Sequence, residues 1–198
     1  MKKVCVLLAE GFEEIEALTV SDIIRRADVT CDLVSIAEKQ VKSSHGVVVQ
    51  ADKLFDENME YDLVVIPGGI PGATNLRDDE RVIKFVKKQN KDGKLIGAIC
   101  AGPIVLGRAG ITEGRNITSY PGYEDELPNC EYLEDAVVVD KNIVTSRGPA
   151  TAMAFAYKLL DILGYGNKVE SISSGMLYKM FIGKSYQIYW GSFHFISV

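Results

Sequence analysis

Short apolar runs rich in β-branched residues alternate along this chain with stretches of helical spacing. Lys3 to Ala9 reads as a strand, and between Glu13 and Ala27 the apolar positions Val20, Ile23, Ile24 and Ala27 share one helical face. Thr30 to Ile36 predicts a second strand. Gln40 to Gln50, broken at Ser44-His45-Gly46, predicts a hairpin because Val47, Val48 and Val49 resume after the turn. Asp62 to Ile66 is an apolar strand that runs into Pro67-Gly68-Gly69. Arg81 to Lys88 carries Val82, Phe85 and Val86 on one face, and Lys94 to Ile99 is the next buried strand. Near-continuous apolar strands separated by amphipathic helices predict an α/β fold with a mostly parallel central sheet covered on both faces.

The second half keeps this alternation with one change. Ala136 to Val139 and Ile143 to Ser146 flank Asp140-Lys141-Asn142, a hairpin signal rather than a crossover. Pro149 then opens a helix with Met153, Ala156, Tyr157 and Leu160 on one face, ended by Gly164. A last helix is expected over Lys168 to Met180. With no internal repeat and no Pro- or Ser-rich linker, positions 1–181 read as a single domain. Positions 182–198 form an aromatic C-terminal extension carrying Tyr186, Tyr189, Trp190, Phe193 and Phe195, expected to dock against the domain.

Composition narrows the function. The 198 residues hold 22 Lys+Arg against 27 Asp+Glu, a net charge of −5, so the dense basic footprint of a specific nucleic-acid binder is missing. No run approaches the roughly 18 apolar residues of a membrane span. Cys5, Cys31, Cys100 and Cys130 are scattered without metal-ligand spacing, so a cytoplasmic protein with reduced thiols and no metal or other cofactor is expected.

In a sheet of this kind ligands sit beyond the carboxyl ends of the strands, so chemistry is sought in the following loops. The strongest is Ala98-Ile99-Cys100-Ala101-Gly102-Pro103, where a buried strand runs into a cysteine, small residues and a helix. That is the form of a nucleophile elbow with cysteine in place of serine. The turn lifts the side chain clear of the sheet, and the amides opening the next helix would lower the thiol pKa. Cys5 and Cys31, inside strand patterns, are expected in the core, and Cys130 in an exposed loop. Neither His45, in a hairpin turn, nor His194, in the tail, is expected beside Cys100. A carboxyl at the start of the first helix is the better proton partner: Glu16 pointing inward, with Glu13 facing solvent. Gly68 and Gly69 supply unobstructed amides suited to an oxyanion.

Ala9 to Glu16, Val65 to Gly69, Ala98 to Pro103 and Thr145 to Pro149 resemble, in order and spacing, the ThiJ/PfpI superfamily. The branch they are most similar to is that of the Parkinsonism-associated deglycase, and Gly175 to Lys179 resembles its bacterial ending. The resemblance implies a flavodoxin-like, class I glutamine amidotransferase-like three-layer sandwich and a homodimer. It implies Cys100 as nucleophile, Glu16 as protonated partner, Gly69 and Ala101 as amide donors, Pro149 near the pocket and Arg26 near the dimer interface. Tyr120 stands where many relatives carry a pocket histidine. Ala101 directly after the cysteine departs from the peptidase-like branch, and no histidine suits an amidotransferase. The activity implied is a cofactor-free glyoxalase or deglycase acting on a small aldehyde or a glycated adduct. A redox-sensing or chaperone-like stress protein using the same oxidisable thiol is the alternative.

Overall fold

In the computed structural model, residues 2–178 and 180 are described; positions 182–198, and with them His194 and the aromatic cluster, lie outside the described residues. In chain order the strands are β1 (Lys3–Leu8), β2 (Thr30–Ser35), β3 (Gln40–Lys42), β4 (Val48–Gln50), β5 (Lys53–Leu54), β6 (Leu63–Ile66), β7 (Leu95–Ile99), β8 (Asn116–Ile117), β9 (Glu131–Tyr132), β10 (Val137–Asp140) and β11 (Ile143–Ser146). The helices are α1 (Glu14–Arg26), α2 (Gly72–Asp78), α3 (Glu80–Lys91), α4 (Ile104–Arg108), α5 (Ala152–Leu160) and α6 (Gly166–Gly175). Seven strands form one sheet in the order β10-β11-β7-β6-β1-β2-β5. Every pairing in it is parallel except β10 with β11, which form the expected antiparallel hairpin. This is the mostly parallel α/β sheet that the alternation predicts, in the flavodoxin-like form that the resemblance implies.

Strand periodicity divides the core into two layers. Along β1, Val4, Val6 and Leu8 face one layer with α1 and α5, while Cys5 and Leu7 face the other with α2, α3 and α4. β6 repeats this, Leu63 and Val65 against Val64 and Ile66, so both faces are covered and the strands lack a polar side. β2 and β6 flank β1 on opposite sides, which places the switch point between the carboxyl ends of β1 and β6.

The differences from the expected elements have local causes. α2 has few apolar positions, with Ala73 and Leu76 its buried hydrophobics, too few for a period to show. β5, β8 and β9 are two residues each, shorter than any sequence pattern can mark. On α5 the buried face is wider than expected and includes Phe155 and Leu159, while Met153 is only half-buried, because α5 packs against both α1 and the sheet. α5 ends at Leu160 in a widened turn, Asp161–Tyr165, in which Gly164 has φ +101°. Cys5 and Cys31 are buried as expected. Cys130 is not an exposed bystander: it is half-buried against the second core layer.

Candidate active site

Three loops meet at the carboxyl ends of β1, β6 and β7. Cys100 follows β7 directly, in the left-handed region at φ +62°, a conformation that is costly for a side chain with a Cβ. Its backbone is held on both sides. The N–H donates to Ser146 O at 3.0 Å, and the carbonyl accepts from Tyr120 N–H at 2.9 Å. α4 then begins at Ile104. This is the strained strand-to-helix turn that the sequence motif implies, and it leaves the thiol half-buried rather than sealed in the core.

Glu16 reaches this thiol from the first turn of α1. It is 0% exposed, and burial raises its carboxyl from the ordinary 4.5 to about 7. Oε2 accepts the Gly68 N–H at 2.7 Å, and the Cys100 side chain is the carboxyl's hydrogen-bonding neighbour on the site side. Oε1 is buried without a further partner among the described residues, the oxygen on which a proton is least opposed. Glu13 does not face solvent as expected. It is 6% exposed because it caps α1, its Oε2 accepting the Glu16 N–H at 2.8 Å.

The two glycines serve different ends. A Cβ on Gly68 would sit 2.7 Å from Cys100 Cβ and 2.9 Å from Glu16 Oε2, so this position must be bare for the acid and the thiol to meet. Its amide is committed to Glu16 and is not free for a substrate oxygen, which corrects the role expected for it. Gly69 turns at φ +85° against the Glu13 backbone, and its amide is directed with that of Ala101 at the Cys100 sulfur.

Those amides lower the thiol pKa, yet the net effect runs opposite to the sequence expectation. Burial pushes the Cys100 thiol up to about 12, with the neighbouring Glu16 carboxylate as the second cause. α4 has only five residues, so its dipole is small and the two amides are the favourable contacts. The Glu16 contribution reverses once that carboxyl holds its own proton, because a neutral acid donates to a thiolate instead of repelling it. Thiolate therefore belongs to the state in which Glu16 is protonated.

Tyr120 and Pro149 come together beside this centre in a pocket of about 210 Å³ that also includes Pro121, Arg147 and Gly148. The Tyr120 ring lies over Gly148, and its hydroxyl has no hydrogen-bond partner among the described residues. Arg26 lies at the other end of α1, roughly 15 Å along the helix from Glu16 by the rise per residue, and pairs with Asp22 at 2.7 Å. His45 pairs with the Glu14 carboxylate at 3.1 Å. Glu13, Glu14 and His45 bring potential metal-ligand atoms within 4.8 Å of one another. Glu13 already caps the helix and the other two bind each other, at a helix end whose partial charge disfavours a cation.

No helix among the described residues is long and apolar enough to cross a membrane. The profile of the DJ-1/PfpI family matches residues 2–162. The chain is 36% identical over 181 residues to "Protein dj-1beta" of Drosophila melanogaster, covering 89% of this chain and 97% of that one. It is 34% identical over 185 residues to "Glutathione-independent glyoxalase DJ-1" of Schizosaccharomyces pombe, covering 87% and 96%. The solved structure of oxidized DJ-1 from Toxoplasma gondii superimposes with a TM-score of 0.85 at 39% identity, covering 89% and 98%. Sheet order, elbow and extended sequence identity thus agree, and the chain belongs to the DJ-1/PfpI family.

Proposed function

We propose that this protein is a cofactor-free glyoxalase that converts small 2-oxoaldehydes such as methylglyoxal to 2-hydroxy acids, or releases the same group from glycated adducts. The observation that carries this reading is the pairing of Cys100 with a fully buried Glu16 held at about 7. The Cys100 thiolate adds to the aldehyde carbon and the oxygen takes a proton, giving a hemithioacetal. Glu16, as carboxylate, then removes the hydrogen on that carbon and returns it to the neighbouring carbon through an enediol, leaving a thioester. Water cleaves the thioester, releasing the hydroxy acid and the thiol. An acid that titrates near neutrality suits both directions of this transfer. The amides of Gly69 and Ala101 face the charge that develops at the sulfur and the adjoining oxygen. The Schizosaccharomyces pombe relative named as a glutathione-independent glyoxalase supports the activity.

The test is lactate formation from methylglyoxal without added glutathione or metal. Lactate in step with methylglyoxal loss is the expected result; folded chain that yields none overturns the reading. We further propose that the protein works as a homodimer with Arg26 near its interface, acts in the cytoplasm, and belongs to a bacterial-type branch, this last on Gly175 to Lys179.

One observation favours redox sensing as a second reading. Cys5 and Cys31 are 0% and 4% exposed, whereas Cys100 is half-buried and faces two amides able to hold a sulfinate oxygen. Sensing requires that brief peroxide treatment add oxygen to Cys100 ahead of the other three thiols, read by peptide mass. Equal oxidation of all four sinks it.

A further inference from the structure

Seven arginines lie among the described residues, and six of them are paired with carboxylates. Arg147 is the exception. Its Nη1 is buried with no hydrogen-bond partner among the described residues, and the exposed Glu124 feels its charge only through space. Yet it stands in the wall of the 210 Å³ pocket with Tyr120, Pro121, Gly148 and Pro149. That pocket adjoins the Cys100 backbone: Ser146, next to Arg147, accepts the Cys100 N–H, and Tyr120 donates to the Cys100 carbonyl.

A half-buried guanidinium without an acceptor lacks the one partner its planar fork is built for. We propose that Arg147 is a specificity residue that binds the carboxylate of an anionic 2-oxoaldehyde whose aldehyde carbon lies at Cys100. The inference rests on the glyoxalase reading and names its substrate class. A carboxylate is favoured over phosphate because it carries one charge and two coplanar oxygens, matching one guanidinium. The rest of the wall, Tyr120, Pro121, Gly148, Pro149, Ala150 and Thr151, is mostly apolar, offers a short aliphatic linker contact and brings no second cation. In the reaction one water enters. The aldehyde hydrogen moves to the neighbouring carbonyl carbon, the aldehyde carbon is oxidised as that carbon is reduced, and the product is a 2-hydroxydicarboxylate plus one proton.

The experiment compares 4,5-dioxopentanoate, a 2-oxoaldehyde with a carboxylate two methylenes away, with neutral methylglyoxal. Arg147→Gln is expected to lose at least about ten-fold in kcat/KM on 4,5-dioxopentanoate, through KM, with methylglyoxal changed less than about two-fold. Arg147→Lys should recover part of the loss. Equal losses on both substrates, or none on either, overturn the proposal. Binding of unreactive 4-oxopentanoate by titration calorimetry separates this inference from the activity beneath it, with the methyl ester as the neutral control. Saturable binding by the native chain, weakened at least about ten-fold in Arg147→Gln and absent for the ester, supports the subsite even if neither aldehyde is turned over, an outcome that would overturn the glyoxalase reading alone. Should the Gln variant fail to fold, the native chain and Arg147→Lys decide by the same titration. A native chain that binds the acid no better than its ester overturns the subsite even if methylglyoxal is consumed.

Discussion

Cys100→Ala is expected to lose at least about a thousand-fold in kcat/KM for methylglyoxal, about 4 kcal/mol of transition-state stabilisation, while keeping its thermal midpoint within a few degrees. The expected loss is large because every covalent step of the proposed mechanism runs through one sulfur, which the thiols of the core cannot replace. Cys5 and Cys31 are in the core, and burial holds both thiols well above the ordinary range. Stability should hardly change, since the strain at φ +62° belongs to the backbone and is equally present with alanine. The Ala101 and Gly69 amides lose only a sulfur acceptor in a half-open site. Lactate formation by the variant within ten-fold of native would place the nucleophile elsewhere. A collapse of the thermal midpoint would mean that the thiol is chiefly a packing group.

Glu16→Gln should separate activity from stability, moving them in opposite directions. The amide keeps the shape and can still accept the Gly68 N–H, but it cannot exchange a proton, so kcat should fall by roughly 10²–10⁴. In the native enzyme the limb of the pH profile that falls as the carboxyl loses its proton should lie near 7, and it should vanish in the variant. Stability follows from the same displacement. The folded carboxyl titrates at about 7 and the ordinary one at 4.5, so between these values the folded chain holds a proton that the unfolded chain has released. Native stability therefore falls as pH rises through that window, by about 3 kcal/mol in total. Gln carries no such charge. The variant should match the native chain near pH 4 and exceed it at pH 8 by up to about that amount, read from urea unfolding at both values. A stability difference that does not change with pH would show that Glu16 is not titrating in the buried state.

Much of this architecture was legible because its physics is local. A parallel sheet covered on both faces needs strands without a polar side, and β1, β6 and β7 show that directly as apolar runs. The antiparallel β10 and β11 were marked by a turn that only a hairpin requires. α2 escaped because a seven-residue helix with few buried apolar residues shows no period, and β8 and β9 because a two-residue ladder leaves none. The candidate site was legible as loops and residue types: a cysteine after a buried strand, glycines after another, carboxyls after the first. Its wiring was not. Glu13 and Glu16 look alike in the sequence, and the expectation that one faced water failed because the helix needed Glu13 as its cap.

What the sequence by itself determined is the α/β order, the family motifs and the position of the elbow, all properties of neighbours along the chain. Tertiary structure alone decided which groups meet at the site. Glu16, Gly68 and Cys100 are brought together by the register of three strands. Burial, which no pattern of residue types measures, then raised the acid to about 7 and the thiol to about 12. The same holds for Arg147, one more residue of a motif in the sequence. Only the fold, by giving every other described arginine a carboxylate and this one none, left it lining a pocket that adjoins the Cys100 backbone.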